Sequence, residues 1–173
     1  NMQRFKDIYY SYTGIVAYLF IAIALVSLIF NKLFILFIGG NQYRELLTPL
    51  SYVMIAMIIY CVLLPLDRFT GVALDSLNKP QRNFQKVIYM TTANILGDIF
   101  AVFGMHYLFP EMPVTTILFF VAIASIIFSI IGIVVGYRFL RQEIDISFID
   151  IFRKGYFFYR NYIFRVFRIN QQP

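Results

Sequence analysis

Hydrophobic residues occur along the chain in four long runs that short polar segments separate. A helix needs about 20 mostly apolar residues to cross a hydrocarbon core of about 30 Å, and each run meets that length. The runs cover residues 8–30 with a continuation through 33–38, residues 46–66 with a polar continuation to 77, residues from about 87 to 108, and residues 114–140. The pattern predicts an all-α, polytopic membrane protein whose first domain, residues 1–140, is a bundle of four transmembrane helices.

The second predicted domain, residues 141–173, has charges too frequent for a fifth span. On a helical wheel begun at Ser147, one side carries Phe148, Phe152, Tyr156, Tyr159, Ile163 and Val166, and the other carries Asp150, Arg153, Lys154, Arg160, Arg165 and Arg168. This separation predicts a basic amphipathic helix lying at the membrane interface, near anionic headgroups. The alternative is that its apolar face packs on cytosolic loops of the same protein.

The composition excludes several classes of protein. Hydrophobic residues make up 60% of the chain and charged residues 14%, against about 45–50% and about 25% in soluble domains. A soluble enzyme, a disordered linker and a secreted disulfide scaffold are therefore excluded together. The single cysteine, Cys61, allows neither an internal disulfide nor a multi-cysteine metal site.

The Lys and Arg residues predict the orientation. Twelve of the fifteen fall in the N-terminal segment, the second connection and the tail, and only Lys32 and Arg44 fall in the other connections. With four spans, those three regions share one side of the membrane. Positively charged loops are retained in the cytosol, so we expect both termini to be cytosolic. The net charge of +6 is then explained by topology, and no nucleic-acid partner is expected.

Polar residues inside apolar spans are candidates for function because they are costly in lipid. Asp98 lies 12 residues beyond Lys86, or about 18 Å at 1.5 Å per residue, which is close to mid-membrane. Asn94 precedes it by one turn on the same helical face. The alternative for Asp98 is a satisfied polar contact between helices.

Arg68 and Asp75 share one face of the second helix with Gly71, by i, i+3 and i+7 spacing. If the helix tilts or kinks at Pro65, Arg68 lies level with Asp98 and within pairing distance. If residues 46–66 form the span, Arg68 extends to the membrane interface instead. The sequence contains no phosphate-binding glycine loop, metal cluster or nucleophile–base pair, so we expect no enzyme activity, catalytic residue, metal or cofactor.

A specific pattern runs from the second span into the third. The segment 64–80 ends in Leu77-Asn78-Lys79-Pro80, and Asn83-Phe84 and Asn94-Ile95-Leu96-Gly97-Asp98 follow. This resembles the C-terminal part of bacterial lipid-linked oligosaccharide flippases of the multidrug/oligosaccharidyl-lipid/polysaccharide superfamily. Asn78 stands where the family commonly has Gly, and Asn tolerates the left-handed backbone of such a turn.

The resemblance implies a partial transporter in the bacterial cytoplasmic membrane. Relatives have 12 or 14 spans in two lobes, so four spans would be the final four, and a chain beginning at Asn1 suggests a fragment. The implied partners are membrane lipids, a polyprenyl-diphosphate-linked oligosaccharide and the remaining transporter helices. The implied substrate-binding residues are Arg68, Asp98, Asp75 and, beside Asp98, Asn94.

Three functions stay open at this point. The first is flipping of a lipid-linked oligosaccharide for surface polysaccharide such as O-antigen, which the 64–80 segment favours. The second is a cation-coupled drug exporter of the same superfamily, with Asp98 binding a proton or Na⁺. The third is a membrane scaffold or remnant that transports nothing.

Overall fold

The computed structural model of the chain describes residues 2–169, and for Phe164 and residues 166–169 it describes the backbone alone. All secondary structure in this part of the chain is helical. In order, it comprises α1 (Met2–Ile29), α2 (Asn31–Gly39), a 3₁₀ turn (Asn41–Leu46), α3 (Leu47–Ser76), α4 (Pro80–Ile99), a π-helical turn (Phe100–Gly104), α5 (Met105–Leu108), α6 (Val114–Glu143) and α7 (Phe148–Ile169).

Four segments are long and apolar enough to cross a membrane, which confirms the predicted all-α architecture. They are Met2–Ile29, Asn41–Ser76, Pro80–Leu108 and Val114–Glu143.

The helix boundaries differ from the hydrophobic runs at the polar ends. The third span begins at Pro80, seven residues before the predicted start near Val87. Proline is favoured in the first helical turn because its missing N–H has no helical acceptor there. α3 continues through Pro65 to Ser76 as one helix. Asn78 joins the two helices with a φ of 58°, as the resemblance to a glycine-containing turn predicted.

α3 and α6 form the centre of the bundle. α1 packs along α3 and α4 packs along α6, whereas α3 and α4 contact each other much less extensively. Small buried residues of α6, namely Ser129, Gly132 and Gly136, face α3 and α4 and allow close approach, as is typical of helices in membranes. Because α3 and α4 diverge over α6, a crevice opens between them.

One end of the bundle contains the main hydrophobic core. Tyr9 of α1, Leu74 of α3, Leu140 of α6 and Ile151 of α7 are all buried there in one cluster. The start of α1, the α3–α4 connection and the start of α7 therefore lie at the same end. Together with the end of α6, these regions carry nine of the fifteen Lys and Arg residues.

α7 packs against α1 through a contact between two glycines. A Cβ at Gly14 would lie 2.8 Å from the backbone nitrogen of Gly155, so the two backbones touch. The Tyr159 hydroxyl donates to the Ile15 carbonyl at 3.1 Å. The amphipathic tail thus packs on the protein itself, on a span rather than on loops. Val166 and Arg168, which the wheel placed on opposite faces, lie outside the described side chains.

Candidate functional site

The crevice between α3 and α4 has α6 as its floor and a volume of about 470 Å³. Its lining is polar for a membrane helix bundle. The polar lining residues are Asp67, Arg68, Asp75, Asn83, Lys86, Thr91 and Asn94. Three of the four predicted site residues, Arg68, Asp75 and Asn94, are thus brought together.

A buried ion pair joins α3 to α4 at the floor of this crevice. Lys86 Nζ lies 2.6 Å from Asp67 Oδ1, and both side chains are 3% exposed. The ammonium also donates to the Asp67 carbonyl at 2.6 Å and to the Thr70 hydroxyl at 3.0 Å. Two of the three ammonium donors thus have hydrogen-bond acceptors, and the contact with Asp67 Oδ1 is an ion pair outside hydrogen-bond geometry. Each charge therefore neutralises the other, which buried ions require.

Two glycines of α6 leave the space that this pair occupies. A Cβ at Gly132 would lie 2.6 Å from Asp67 Oδ1, and a Cβ at Gly136 would lie 2.6 Å from the Thr70 hydroxyl. Any side chain at either position would displace the polar groups above it. The glycines thus position the ion pair by their lack of a side chain.

Arg68 lies at the mouth of the crevice with 75% of its side chain exposed. Its Nε is 4.0 Å from Asp67 Oδ2, and Asp67 already pairs with Lys86. Within residues 2–169 the ion-pair contact of Arg68 is with Asp67 and not with Asp98. The Arg68 side chain is thus largely exposed at the crevice mouth, and its contact with Asp67 is longer than that of Lys86.

Asp75 and Asn83 form a second polar contact between α3 and α4, beside the one that Lys86 makes. Asn83 Nδ2 donates to Asp75 Oδ2 at 2.9 Å. A Cβ at Gly71 would lie 2.9 Å from Asn83 Oδ1, so Gly71 allows the amide to reach α3. Arg68 and Asp75 do line the same crevice, as their spacing predicted.

Asp98 lies one turn beyond the crevice. Asn94 Nδ2 donates to Asp98 Oδ2 at 3.0 Å, and Asn94, but not Asp98, is a lining residue. The Oδ1 atoms of both residues are buried without a hydrogen-bond partner among the residues described. The π-helical turn follows two residues later, and such turns are frequent near functional sites.

Sequence reasoning missed the Asp67–Lys86 pair. The apolar run begins at Val87, so the hydrophobic pattern assigns Lys86 to the basic connection before the third span. A signal was present, since Asn83, Lys86, Met90 and Asn94 recur at helical spacing on one face once the helix begins at Pro80. A lysine on that face must pack inward and needs an acidic partner.

The lining combines a guanidinium, amides and carboxylates on a partly apolar wall. A guanidinium binds phosphate through paired hydrogen bonds, and amides and carboxylates bind hydroxyl groups. Over residues 2–169, no group of three or more His, Cys, Asp or Glu side chains is arranged to hold a metal ion. In comparisons with known proteins, no family model, no curated protein and no solved structure matches this chain.

Proposed function

We propose that this chain takes part in flipping a lipid-linked oligosaccharide across the bacterial cytoplasmic membrane for surface polysaccharide synthesis. In this proposal it is the C-terminal part of a larger transporter and works by alternating access, without covalent chemistry. The observation that carries the proposal is the crevice, in which Arg68 is exposed above a neutralised ion pair.

The chemistry of the crevice fits a ligand with an anionic head and many hydroxyls. Arg68 would form paired hydrogen bonds with a diphosphate. Asp75, Asn83 and Asn94 would accept from and donate to sugar hydroxyls. Asp67 does not repel the diphosphate, because Lys86 neutralises it at 2.6 Å.

Low burial of the spans supports a place in a larger assembly. Only 11–22% of the residues in the apolar window of each span are buried. The remaining faces are available to lipid or to the other transporter helices. We further propose that the end holding the main core, with both termini, faces the cytosol, because it carries most of the basic residues.

The proposal is tested by binding of a polyprenyl-diphosphate-linked oligosaccharide to the purified full chain, measured by native mass spectrometry. Hydrogen bonds to charged groups contribute about 1.5–3 kcal/mol, so Arg68→Ala should weaken binding by about 10- to 100-fold. Arg68→Lys keeps the charge but loses the planar fork and should recover only part of the affinity. Arg44→Ala, an exposed arginine outside the crevice, is the control. Wild-type affinity in Arg68→Ala would contradict the proposal.

A cation-coupled exporter of the same superfamily is the second candidate. It is favoured by the two buried oxygens of Asn94 and Asp98 that have no partner among the described groups. In that case Asp98→Asn should abolish transport driven by a proton or Na⁺ gradient, and Arg68→Ala should leave it intact. If the chain is a scaffold, neither the wild-type protein nor either variant should show transport.

The proposed orientation is tested separately by reporter fusions. Fusions after Gln42 and Glu111 should report the periplasm, and fusions after Arg82 and Gln172 should report the cytosol. A cytosolic signal at Glu111 would contradict four spans with cytosolic termini.

A further inference from the structure

A second concave surface lies where the last turns of α6 meet the start of α7. It is a groove of about 570 Å³. One part of its lining is apolar, formed by Ile133, Val134, Tyr137 and Phe148. The other part carries two arginines, Arg138 and Arg141, followed by Gln142.

The two parts are arranged in order along the axis of α6. Val134, Arg138 and Arg141 fall on one helical face by i, i+4 and i+7 spacing. At 1.5 Å per residue, the arginines lie about 6 and 10 Å beyond Val134 towards the end of the span. The groove is therefore apolar along the span and positively charged at its end. A phospholipid has the matching arrangement, with apolar acyl chains joined to a charged headgroup.

The wall of the groove is held in place by contacts outside it. The Tyr137 hydroxyl donates to the Ile146 carbonyl at 2.9 Å, so the loop after α6 folds back on the helix. The rings of Tyr137 and Phe148 meet edge to face at 5.8 Å, and Phe148 contacts Phe152 in the same way at 5.4 Å. The groove is therefore preformed, which lowers the entropic cost of binding.

The two arginines differ from their basic neighbours in what they contact. Lys79 and Arg82 pair with Glu143, and Lys154 pairs with Asp7. Arg138 and Arg141 are exposed, and neither forms an ion pair within the described part of the chain. Asp145 follows in the loop but is not a lining residue.

We propose that this groove binds an anionic phospholipid, with the phosphate between Arg138 and Arg141 and an acyl chain along Ile133 and Val134. The apolar wall favours a lipid over a free phosphate. Basic pockets at the cytosolic ends of membrane helices bind anionic headgroups. The proposal does not depend on the crevice or on what the crevice binds.

The test is binding of phosphatidylglycerol and phosphatidylcholine with identical acyl chains to the purified full chain in detergent, by native mass spectrometry. Each basic residue near a membrane surface contributes about 1 kcal/mol towards anionic lipid, so two arginines predict about a thirtyfold preference for phosphatidylglycerol. Excess glycerol phosphate should not compete, because it lacks the acyl chains. Equal binding of the two lipids, or full competition by glycerol phosphate, would overturn the proposal.

Two double variants then test whether the preference for phosphatidylglycerol arises in the groove. Arg138→Gln with Arg141→Gln should reduce phosphatidylglycerol binding to the phosphatidylcholine level. Arg4→Gln with Lys6→Gln removes the same charge elsewhere on the chain and should retain the preference. If Arg4→Gln with Lys6→Gln lost the preference for phosphatidylglycerol and Arg138→Gln with Arg141→Gln kept it, the groove would not be the binding site. The wild-type comparison of the two lipids stands even if a variant fails to fold, which circular dichroism would report.

Discussion

Two helix interfaces in this protein use glycine for opposite purposes. Between α6 and the α3–α4 pair, Gly132 and Gly136 leave space that the Asp67–Lys86 pair fills. Between α1 and α7, Gly14 and Gly155 bring two backbones into direct contact, and no charged group lies between them. The first interface is polar and borders a crevice, and the second is closely packed.

We propose from this difference that the first interface serves binding and the second serves assembly. Small residues allow close van der Waals packing in lipid, where no hydrophobic effect drives helices together. The α1–α7 contact uses small residues in this way, with Tyr18 and Tyr159 rings packing beside it. Buried charges stabilise a membrane bundle poorly. Ionisable residues inside membrane segments often mark substrate or ion pathways, which supports the proposal that this pair serves a ligand in the crevice.

The largest expected effect comes from breaking the ion pair. Lys86→Met leaves the Asp67 carboxylate buried without its main counter-charge, and removing one partner of a buried pair costs about 3–5 kcal/mol. The measurement is the free energy of unfolding of the purified chain, by titration with a denaturing detergent.

The control is the double variant, Asp67→Asn with Lys86→Met. Because it leaves no buried charge at this position, it should be more stable than Lys86→Met alone, with a coupling free energy of about 1–3 kcal/mol. Asp67→Asn alone completes the cycle, and additive losses would show that the two groups do not interact as an ion pair.

An intermediate effect is expected at the close-packed interface. Gly14→Ala places a Cβ against the backbone of Gly155, which cannot rotate away as a side chain can, and overpacking costs about 1–3 kcal/mol. Loss of crosslinking by a short bis-maleimide between cysteines at positions 7 and 154, in a Cys61→Ala background, would report loss of α7 docking.

Gly104→Ala is the matched control for that substitution. Its added Cβ would meet only the Phe100 ring, and Phe100 is 58% exposed and free to shift. Crosslinking should stay at the wild-type level. If both variants lost crosslinking equally, the contact between Gly14 and Gly155 would not be what docks α7 on α1.

The smallest effect is expected for the ion pair between Lys154 and Asp7. Their charged atoms are 3.0 Å apart, but the side chains are 48% and 49% exposed. Solvent screening reduces such pairs to at most about 1 kcal/mol. Lys154→Ala should therefore leave the free energy of unfolding near the wild-type value in physiological salt. A loss comparable to that of Gly14→Ala would show that charge, not packing, holds α7.

The number of spans and the turn at Asn78 could be predicted because each follows from local rules. An apolar run of sufficient length predicts a helix, and a short connection needs a residue that accepts positive φ. The shared crevice of Arg68 and Asp75 also followed from helical spacing, whereas the sequence placed Asn94 with Asp98. The partner of Lys86 could not be predicted, because it depends on how α3 and α4 approach over Gly132. The contact between Gly155 and Gly14 could not be predicted either, because it depends on how α7 packs on α1. The sequence alone gives only the weak helix propensity of Gly155.

Mapping the residues that contact the ligand tests most directly whether the crevice between α3 and α4 binds it. A photo-crosslinking amino acid at Val72, which lines the crevice, is compared with one at Phe103, which is 70% exposed and outside it. With a polyprenyl-diphosphate-linked oligosaccharide, we predict strong labelling at position 72 that Arg68→Ala reduces by about tenfold or more. Labelling at position 103 should be weak and independent of Arg68. Equal labelling at both positions, unchanged by Arg68→Ala, would contradict the crevice as the binding site.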